Sequence, residues 1–313
     1  MKLQNTNRKS HSQYRDDIRT LLEAVSSVVY GKEEITILIL IAIICNDHIL
    51  LEDVPGTGKT MLINVIARIL DLDFKRIQGN PDLLPGDLVG VTIFNQKENK
   101  FEFIPGPIFT NILLFDEINR ASPKTQSALL EAMAERQVSV DNITYVLEKP
   151  FFVIATQNPV EHLGTYPLPQ AQLDRFLIKT KVGYPTRDQE RQIMLDAQLD
   201  TRDLKLPSFP ANVIATWQKE FQNVFIHEEL VEALLNIIQQ TRDDNRFELG
   251  ISPRSSKKFV HALKACAYIH GRDFVNSDDL YRLFIPVIAH RVFTNTVQEE
   301  EVLLRDLLDK ENV

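Results

Sequence analysis

The sequence has few cysteines, glycines and prolines for its length. Its 313 residues contain 2 cysteines, 11 glycines and 15 prolines. So few glycines and prolines exclude a collagen-like chain and a wholly disordered one. Cys45 and Cys266 lie far apart in apolar stretches and have no metal-ligand spacing. This pattern excludes a disulfide-stapled scaffold and favours buried thiols in a reducing compartment.

The chain also lacks an excess of positive charge. Its formal net charge is -8 and its pI is near 5.5, so no overall positive field draws it onto nucleic acid or anionic lipid. The net charge leaves a local basic patch undecided, but Glu98 lies between Lys97 and Lys100 and offsets part of their positive charge. We therefore do not expect nucleic acid among its partners.

Long hydrophobic runs are missing as well. The longest covers residues 35–45, well short of the roughly 20 residues that cross a bilayer, so it predicts a buried helix and no membrane span. Residues 1–15 are polar and have no apolar segment typical of an export signal. We expect a flexible tail there and a cytoplasmic protein.

The sequence does contain a regular alternation of short apolar segments with helical stretches. The segments, each a predicted strand, are residues 49–51, 75–78, 112–115, 151–155 and 177–182. Strands that alternate with helices predict an α/β domain with a doubly wound parallel sheet, here over residues 16–184. Two β-hairpin inserts are expected, one at about residues 81–110, inserted into a helix, and one at about residues 137–147.

From Pro185 onward, helical periodicity replaces the strand pattern. We expect no further strand, and residues 185–313 are predicted to form an all-helical domain with a boundary near residues 184–186. Ser252 as N-cap, Pro253 in the first turn and Gly271 after the last turn delimit one helix. Pro286 is expected to close the next helix.

A glycine-rich turn between a strand and a helix carries the strongest chemical signal. It is Pro55-Gly56-Thr57-Gly58-Lys59-Thr60, directly after the strand at residues 49–51. Its glycines let successive N–H groups point at phosphates, Lys59 can reach the β and γ oxygens, and the Thr60 hydroxyl can ligate Mg²⁺. Asp53 stands where the full phosphate-loop pattern has glycine, and Asp tolerates unusual backbone angles better than most residues.

A second motif is the pair of acids that ends an apolar strand, Asp116 and Glu117. Unpaired carboxylates at an apolar edge are costly, so they imply a function. We predict that Asp116 holds Mg²⁺ and that Glu117 polarises the water that attacks the γ-phosphate.

These two motifs, with the following Ile118-Asn119-Arg120-Ala121, resemble the MoxR family of AAA+ ATPases. The resemblance spans nearly the whole chain. It implies an AAA+ doubly wound (αβα) nucleotide-binding domain and a C-terminal helical lid, with ATP and Mg²⁺ in the cleft between them. The role of Arg120 stays open between a contact to a neighbouring subunit and a plain surface residue.

Further segments match the family one by one. Val29-Tyr30-Gly31 matches the segment that lies against adenine, and Met61 completes the expected nucleotide-binding set. Thr156-Gln157-Asn158-Pro159 matches the sensor-1 element, so Asn158 is implied to help position the attacking water. Leu173-Asp174-Arg175-Phe176 matches the arginine-finger segment, so Arg175 would reach the γ-phosphate of a neighbouring subunit. Gln170 and His162-Leu163 depart from the family's commoner residues, which affects local subunit contacts.

Ser252-Pro253-Arg254 matches the sensor-2 motif of the family. A cation in the first turn of a helix opposes the helix dipole, at a cost of about 0.3–1 kcal/mol. A bound phosphate would reverse that sign. Arg254 is therefore expected to meet the γ-phosphate together with Lys59.

The resemblance also implies a homo-oligomer, in the family a hexameric ring, whose Mg-dependent ATP hydrolysis remodels or activates a partner protein as a chaperone does. Family partners often contain von Willebrand factor A domains. This sequence has none, so the partner would be another chain. Two alternatives remain: a DNA-directed or chelatase-like motor subunit, and a non-hydrolysing switch that binds ATP to dock a partner.

Overall fold

The computed structural model describes residues 16–52, 56–158, 164–195, 205–210, 212–295 and 300–311. The predicted tail (residues 1–15), Asp53, Pro55 and His162-Leu163 lie outside the described residues.

The secondary structure of the described residues alternates between strands and helices up to residue 181 and is then mostly helical. The strands are β1 (His48–Glu52), β2 (Phe74–Gln78), β3 (Gly90–Asn95), β4 (Lys100–Pro105), β5 (Ile112–Asp116), β6 (Gln137–Val140), β7 (Ile143–Val146), β8 (Phe152–Gln157), β9 (Phe176–Lys181), β10 (Phe247–Leu249) and β11 (Phe293–Thr294). The helices are α1 (residues 16–26), α2 (Glu33–Ile44), α3 (Lys59–Ile69), α4 (Pro85–Val89), α5 (Pro123–Glu135), α6 (Gln170–Leu173), α7 (Arg187–Leu195), α8 (Val213–Glu220), α9 (Glu228–Asp243), α10 (Pro253–Ile269), α11 (Ser277–Ile288) and α12 (Glu300–Lys310).

A five-stranded parallel sheet lies at the centre, in the order β2-β5-β8-β1-β9. It confirms the five predicted strands and the parallel α/β architecture. Along β5, Ile112 and Leu114 pack into one hydrophobic cluster, and Leu113 and Phe115 into another on the opposite face. Because both faces are covered, each central strand is a continuous apolar run.

The apolar run at residues 35–45 forms helix α2, which is buried on nearly all sides. It packs against α10, and the larger hydrophobic cluster joins α2 to one face of the sheet and to the C-terminal helices. Among the described residues, no helix combines the length and the apolar content that crossing a bilayer requires.

Both predicted hairpins are present, as β3–β4 and β6–β7. The side chain of Phe103 stacks on Tyr145 with 4.1 Å between ring centroids, so the two hairpins contact each other. The first hairpin was expected to interrupt a helix; instead, α4 precedes it and residues 106–111 lead to β5 through turns. In that turn, Gly106 packs closely against the backbone of Leu88 and Gly90. No second helical segment forms at residues 106–111.

The C-terminal part corrects two expectations. A short antiparallel pair, β10 with β11, interrupts the helices; such brief strands give no periodicity that a sequence pattern could detect. Pro286 lies inside α11, which continues to Ile288, because Val287 and Ile288 are buried and hold this last turn in place. Ser252, Pro253 and Gly271 delimit α10 as predicted.

Candidate functional site

The residues that follow β1, β5 and β8 meet at one edge of the sheet, since parallel neighbours end on the same side. They surround a cavity of about 530 Å³. Its lining includes most residues of the two motifs, together with Met61 and Asn158, which were expected from the family resemblance: Gly56, Thr57, Gly58, Lys59, Thr60, Met61, Asp116, Glu117 and Asn158. Residues that are far apart in sequence are thus brought into one site.

The glycine-rich turn has the backbone shape that a phosphate site requires. Gly56 and Gly58 have φ angles of 87° and 84°, in the left-handed region that favours glycine. A Cβ atom at either position would meet no atom within 4 Å, so the backbone here borders open space. Helix α3 begins at Lys59, directly after Gly58, and its N-terminal dipole and N–H groups favour an anion.

The strand β5 ends with Asp116, which is held from two sides. The Arg76 Nε donates to its Oδ2 at 2.6 Å, and the Thr156 hydroxyl donates to its Oδ1 at 3.2 Å. Thr60 lines the same cavity. A carboxylate and a hydroxyl are hard oxygen donors of the kind that Mg²⁺ prefers, so the residues present fit that cation beside a nucleotide.

Glu117 follows in a strained turn with a φ of 54° and a ψ of 53°. Its N–H donates to the Thr156 hydroxyl at 2.9 Å, and the Gln78 side-chain amide donates to its Oε2 at 2.7 Å. Gly79 packs against this turn so closely that a Cβ atom there would lie 2.3 Å from the Glu117 carbonyl oxygen. A left-handed non-glycine residue held this firmly indicates a functional constraint.

Sequence reasoning missed Arg76, Gln78 and Gly79. The register of β2 against β5 pairs Gln78 with Asp116, and this pairing delivers the three residues to the two acids. Arg76 and Gln78 are separated by one residue on an edge strand. Polar residues are common on edge strands without a function. The one available signal was a polar strand within a mostly apolar sheet.

A second cavity, of about 280 Å³, adjoins the first. The two share Gly56, Thr57, Gly58 and Met61. The remaining lining comes from the segment before α2 and the segment around α7, namely Val28, Val29, Tyr30, Lys32, Pro185 and Ile193. The predicted adenine segment therefore lies here, with Gly31 between two lining residues at a φ of 69°. The apolar character of the lining suits a planar base.

Arg175 and Arg254 lie elsewhere. Both line a third cavity, of about 520 Å³, together with Asp47 and His48. His48 begins β1 and the phosphate loop follows its end, so the two cavities are separated by the length of a five-residue strand, roughly 13 Å. The expectation that Arg254 meets the same phosphate as Lys59 is thus not met within one chain.

Two further sequence expectations concern charged side chains at the surface. Arg120 contacts Glu117, with 3.5 Å between its Nη1 and the Glu117 Oε2, so it belongs to the environment of the acid pair in this subunit. In the first hairpin, Lys100 forms an ion pair with Glu98. This pairing cancels a basic charge that a nucleic-acid surface would need.

Comparisons with known proteins agree with this geometry. The family described as "ATPase family associated with various cellular activities (AAA)" matches residues 48–178, and the AAA lid domain matches residues 239–311. Chaperone MoxR1 of Mycobacterium tuberculosis is 37% identical over 288 residues, which cover 88% of this chain and 76% of the relative. The uncharacterised protein YeaC of Bacillus subtilis is 45% identical over 303 residues, 95% of each chain.

A solved structure gives the same result. The crystal structure of a proposed ATPase from Cytophaga hutchinsonii matches with a TM-score of 0.90 and 35% sequence identity, over 99% of this chain and 98% of that one. The overall fold therefore recurs in an independent structure. The chain belongs to the MoxR family of AAA+ ATPases.

Proposed function

We propose that the chain binds ATP with Mg²⁺ across the two adjoining cavities and uses Mg-dependent hydrolysis to remodel or activate a partner protein. The observation that carries the proposal is the joining of the phosphate loop and both acids around one cavity. The shared glycines connect this cavity to the apolar one, so phosphates and base have adjacent, chemically matched surroundings.

The main lining residues have distinct physical roles in this proposal. The loop N–H groups and Lys59 bind the phosphates, while Thr60 and Asp116 hold the metal ion. When held there, Mg²⁺ would supply positive charge against the charge that develops on the phosphate oxygens. Glu117 accepts the proton of the attacking water, and Asn158, which directly follows β8 and lines the same cavity, orients that water.

Arg175 and Arg254 support a shared site between subunits. They lie together at the edge of the sheet opposite the phosphate loop, so a γ-phosphate within their reach belongs to a neighbouring copy. The site is then complete only in an oligomer, for which we propose the hexameric ring implied by the family resemblance.

The remodelling role is supported by a relative, the M. tuberculosis protein named Chaperone MoxR1. A partner with a von Willebrand factor A domain, the chelatase-like alternative, the cytoplasmic location and the domain boundary near residues 184–186 stay predictions. The DNA-directed alternative has less support, because the Lys100–Glu98 pair leaves the first hairpin with little net positive charge.

The direct test is Glu117→Gln. Turnover should fall by about 10²–10⁴-fold, the usual contribution of a general base, while ATP affinity, measured with a fluorescent ATP analogue, stays close to that of the parent protein. The matched control is Glu232→Gln, an exposed acid on α9, which should leave turnover unchanged. Full turnover in Glu117→Gln would overturn the assignment.

A further inference from the structure

A buried arginine, Arg291, occupies the turn after α11 and has no role in the proposed function. Only 1% of its side chain is exposed. Its guanidinium is nevertheless fully engaged: Nε donates to the Val287 carbonyl at 2.7 Å, and Nη2 donates to the Phe176 carbonyl at 2.5 Å. Arginine is rarely buried without a strong partner, so the contacts of its remaining nitrogen, Nη1, are informative.

Nη1 contacts Asp174 and Ser255. The Arg291 Nη1 lies 2.6 Å from the Asp174 Oδ1 and 3.3 Å from the Ser255 hydroxyl. The Ser255 hydroxyl in turn donates to the same Asp174 oxygen at 3.3 Å. The three side chains form a closed triangle between the end of α6, the start of α10 and the end of α11.

Two corners of this triangle are chain neighbours of the proposed trans-acting arginines. Asp174 directly precedes Arg175, and Ser255 directly follows Arg254. The Arg175 Nη1 also donates to the Leu130 carbonyl at 2.9 Å, which fixes the head of that side chain. Both arginines line one cavity, whereas Arg291 does not.

We propose that Arg291 is a positioning residue: by bridging Asp174 and Ser255, it holds Arg175 and Arg254 at a fixed spacing for the nucleotide of a neighbouring subunit. This inference rests on the proposed function, in which the two arginines serve that neighbour. Lysine cannot replace Arg291, because a single ammonium group does not reproduce a planar fork with three fixed directions.

The test uses mixed oligomers. Arg291→Gln should lower turnover by about 10²-fold, as expected when a reacting group moves by roughly 1 Å, with ATP affinity unchanged. Arg291→Lys should be almost as impaired. In an equal mixture with Glu117→Gln, which keeps intact arginines, turnover per total subunit should rise to about a quarter of the parent value, because half of the chains keep Glu117 and about half of those gain an intact neighbour.

The matched control is Arg272→Gln. It breaks another ion pair in the helical part, that of the half-buried Arg272 with the buried Asp279, whose two contacts are 2.6 and 2.7 Å. This variant should lose stability and keep its turnover per folded subunit. If Arg272→Gln lowers turnover as strongly as Arg291→Gln, general destabilisation explains the loss and the inference fails.

A parallel mixture separates this inference from the proposed function. Arg175→Ala mixed with Glu117→Gln should recover turnover by the same arithmetic. If the Arg175→Ala mixture recovers turnover and the Arg291→Gln mixture does not, the role of Arg291 is overturned and the proposed function stands. If Arg175→Ala without any partner variant has full turnover, the shared site itself is overturned. If Arg291→Gln does not fold, Asp174→Asn breaks the same ion pair and is held to the same outcomes.

Discussion

At the scale of single residues, His48 shows how a buried group couples the fold to pH. The Val153 N–H donates to its Nδ1 at 3.0 Å, and its Nε2 lies 3.2 Å from the Met133 carbonyl. The ring is therefore neutral, with its proton on Nε2. The pKa of His48 is lowered to about 3, chiefly by burial; nearby Arg136 and Lys258 also lower it, while Asp47 and the hydrogen bond to the Met133 carbonyl oppose them.

This shift predicts a loss of stability in mild acid. The unfolded chain takes up a proton at His48 below about pH 6.5, whereas the folded protein does so only near pH 3. The stabilisation is complete above pH 6.5 and is lost as pH falls, by about 2 kcal/mol at pH 5. Urea unfolding at pH 7 and pH 5 should show a smaller pH effect for His48→Gln than for the parent protein.

His290 contributes to the same trend, because burial also lowers its pKa well below the usual value. The His48→Gln variant therefore keeps part of the pH dependence, and His290→Gln provides the companion measurement. Identical pH effects in the parent protein and in His48→Gln would contradict the assignment of a buried neutral ring.

The residues of the candidate site differ in how visible they are in the sequence. The glycines, Lys59 and the Asp116–Glu117 pair could be predicted because each motif is contiguous and adjoins a strand. Arg76 and Gln78 could not, because they reach the acids only through the pairing of β2 with β5. Strand register depends on packing between segments, which a single sequence does not state.

At the scale of elements, helices α5 and α10 begin with signals that the sequence makes readable. Ser122 and Ser252 cap α5 and α10 through their side chains, each followed by proline. The strands β1, β5, β8 and β9 were equally predictable because each contains a buried apolar run, whereas β2 is a more polar edge strand. The pair β10–β11 and the passage of α11 through Pro286 were not, since packing around them outweighs local preference.

The cap of α10 gives an element-scale prediction. The Ser252 hydroxyl accepts a hydrogen bond from the Ser255 N–H at 3.2 Å, so Ser252→Ala should lower the free energy of unfolding by about 1 kcal/mol. The control is Ser256→Ala on the same helix, where an exposed hydroxyl contacts the Ser252 carbonyl and little should change. Equal losses in urea unfolding would show that the cap contributes no special stability.

At the scale of the whole molecule, the placement of Arg175 predicts that catalysis depends on assembly. Turnover per subunit should rise with protein concentration, and Arg175→Ala should lack most of that rise, since a trans arginine contributes roughly 10³–10⁵ in rate where it acts. Arg19→Ala, an exposed arginine on α1, is the control. Turnover independent of concentration, at a dilution where sedimentation shows monomers, would contradict the shared site.

The overall architecture was predictable because strand–helix alternation and motif order define it. The relative position of the two arginines was not. Arg175 and Arg254 are 79 positions apart in the chain, and they share a cavity only because the helical part folds back onto the start of β1. Matching Arg254 to a family motif gave its identity but not the edge of the sheet on which it lies.

The phosphate loop and the two arginines lie at opposite edges of the sheet, so the two ends of the subunit differ. In the proposed shared site, the phosphate loop of one copy takes the arginines of the next, so copies joined in this way associate head to tail rather than as symmetric pairs. In an open row of such copies, the last phosphate loop receives no arginines, and one site is always incomplete. Closing the row into a circle completes it, so circular closure adds an active site without any new chain.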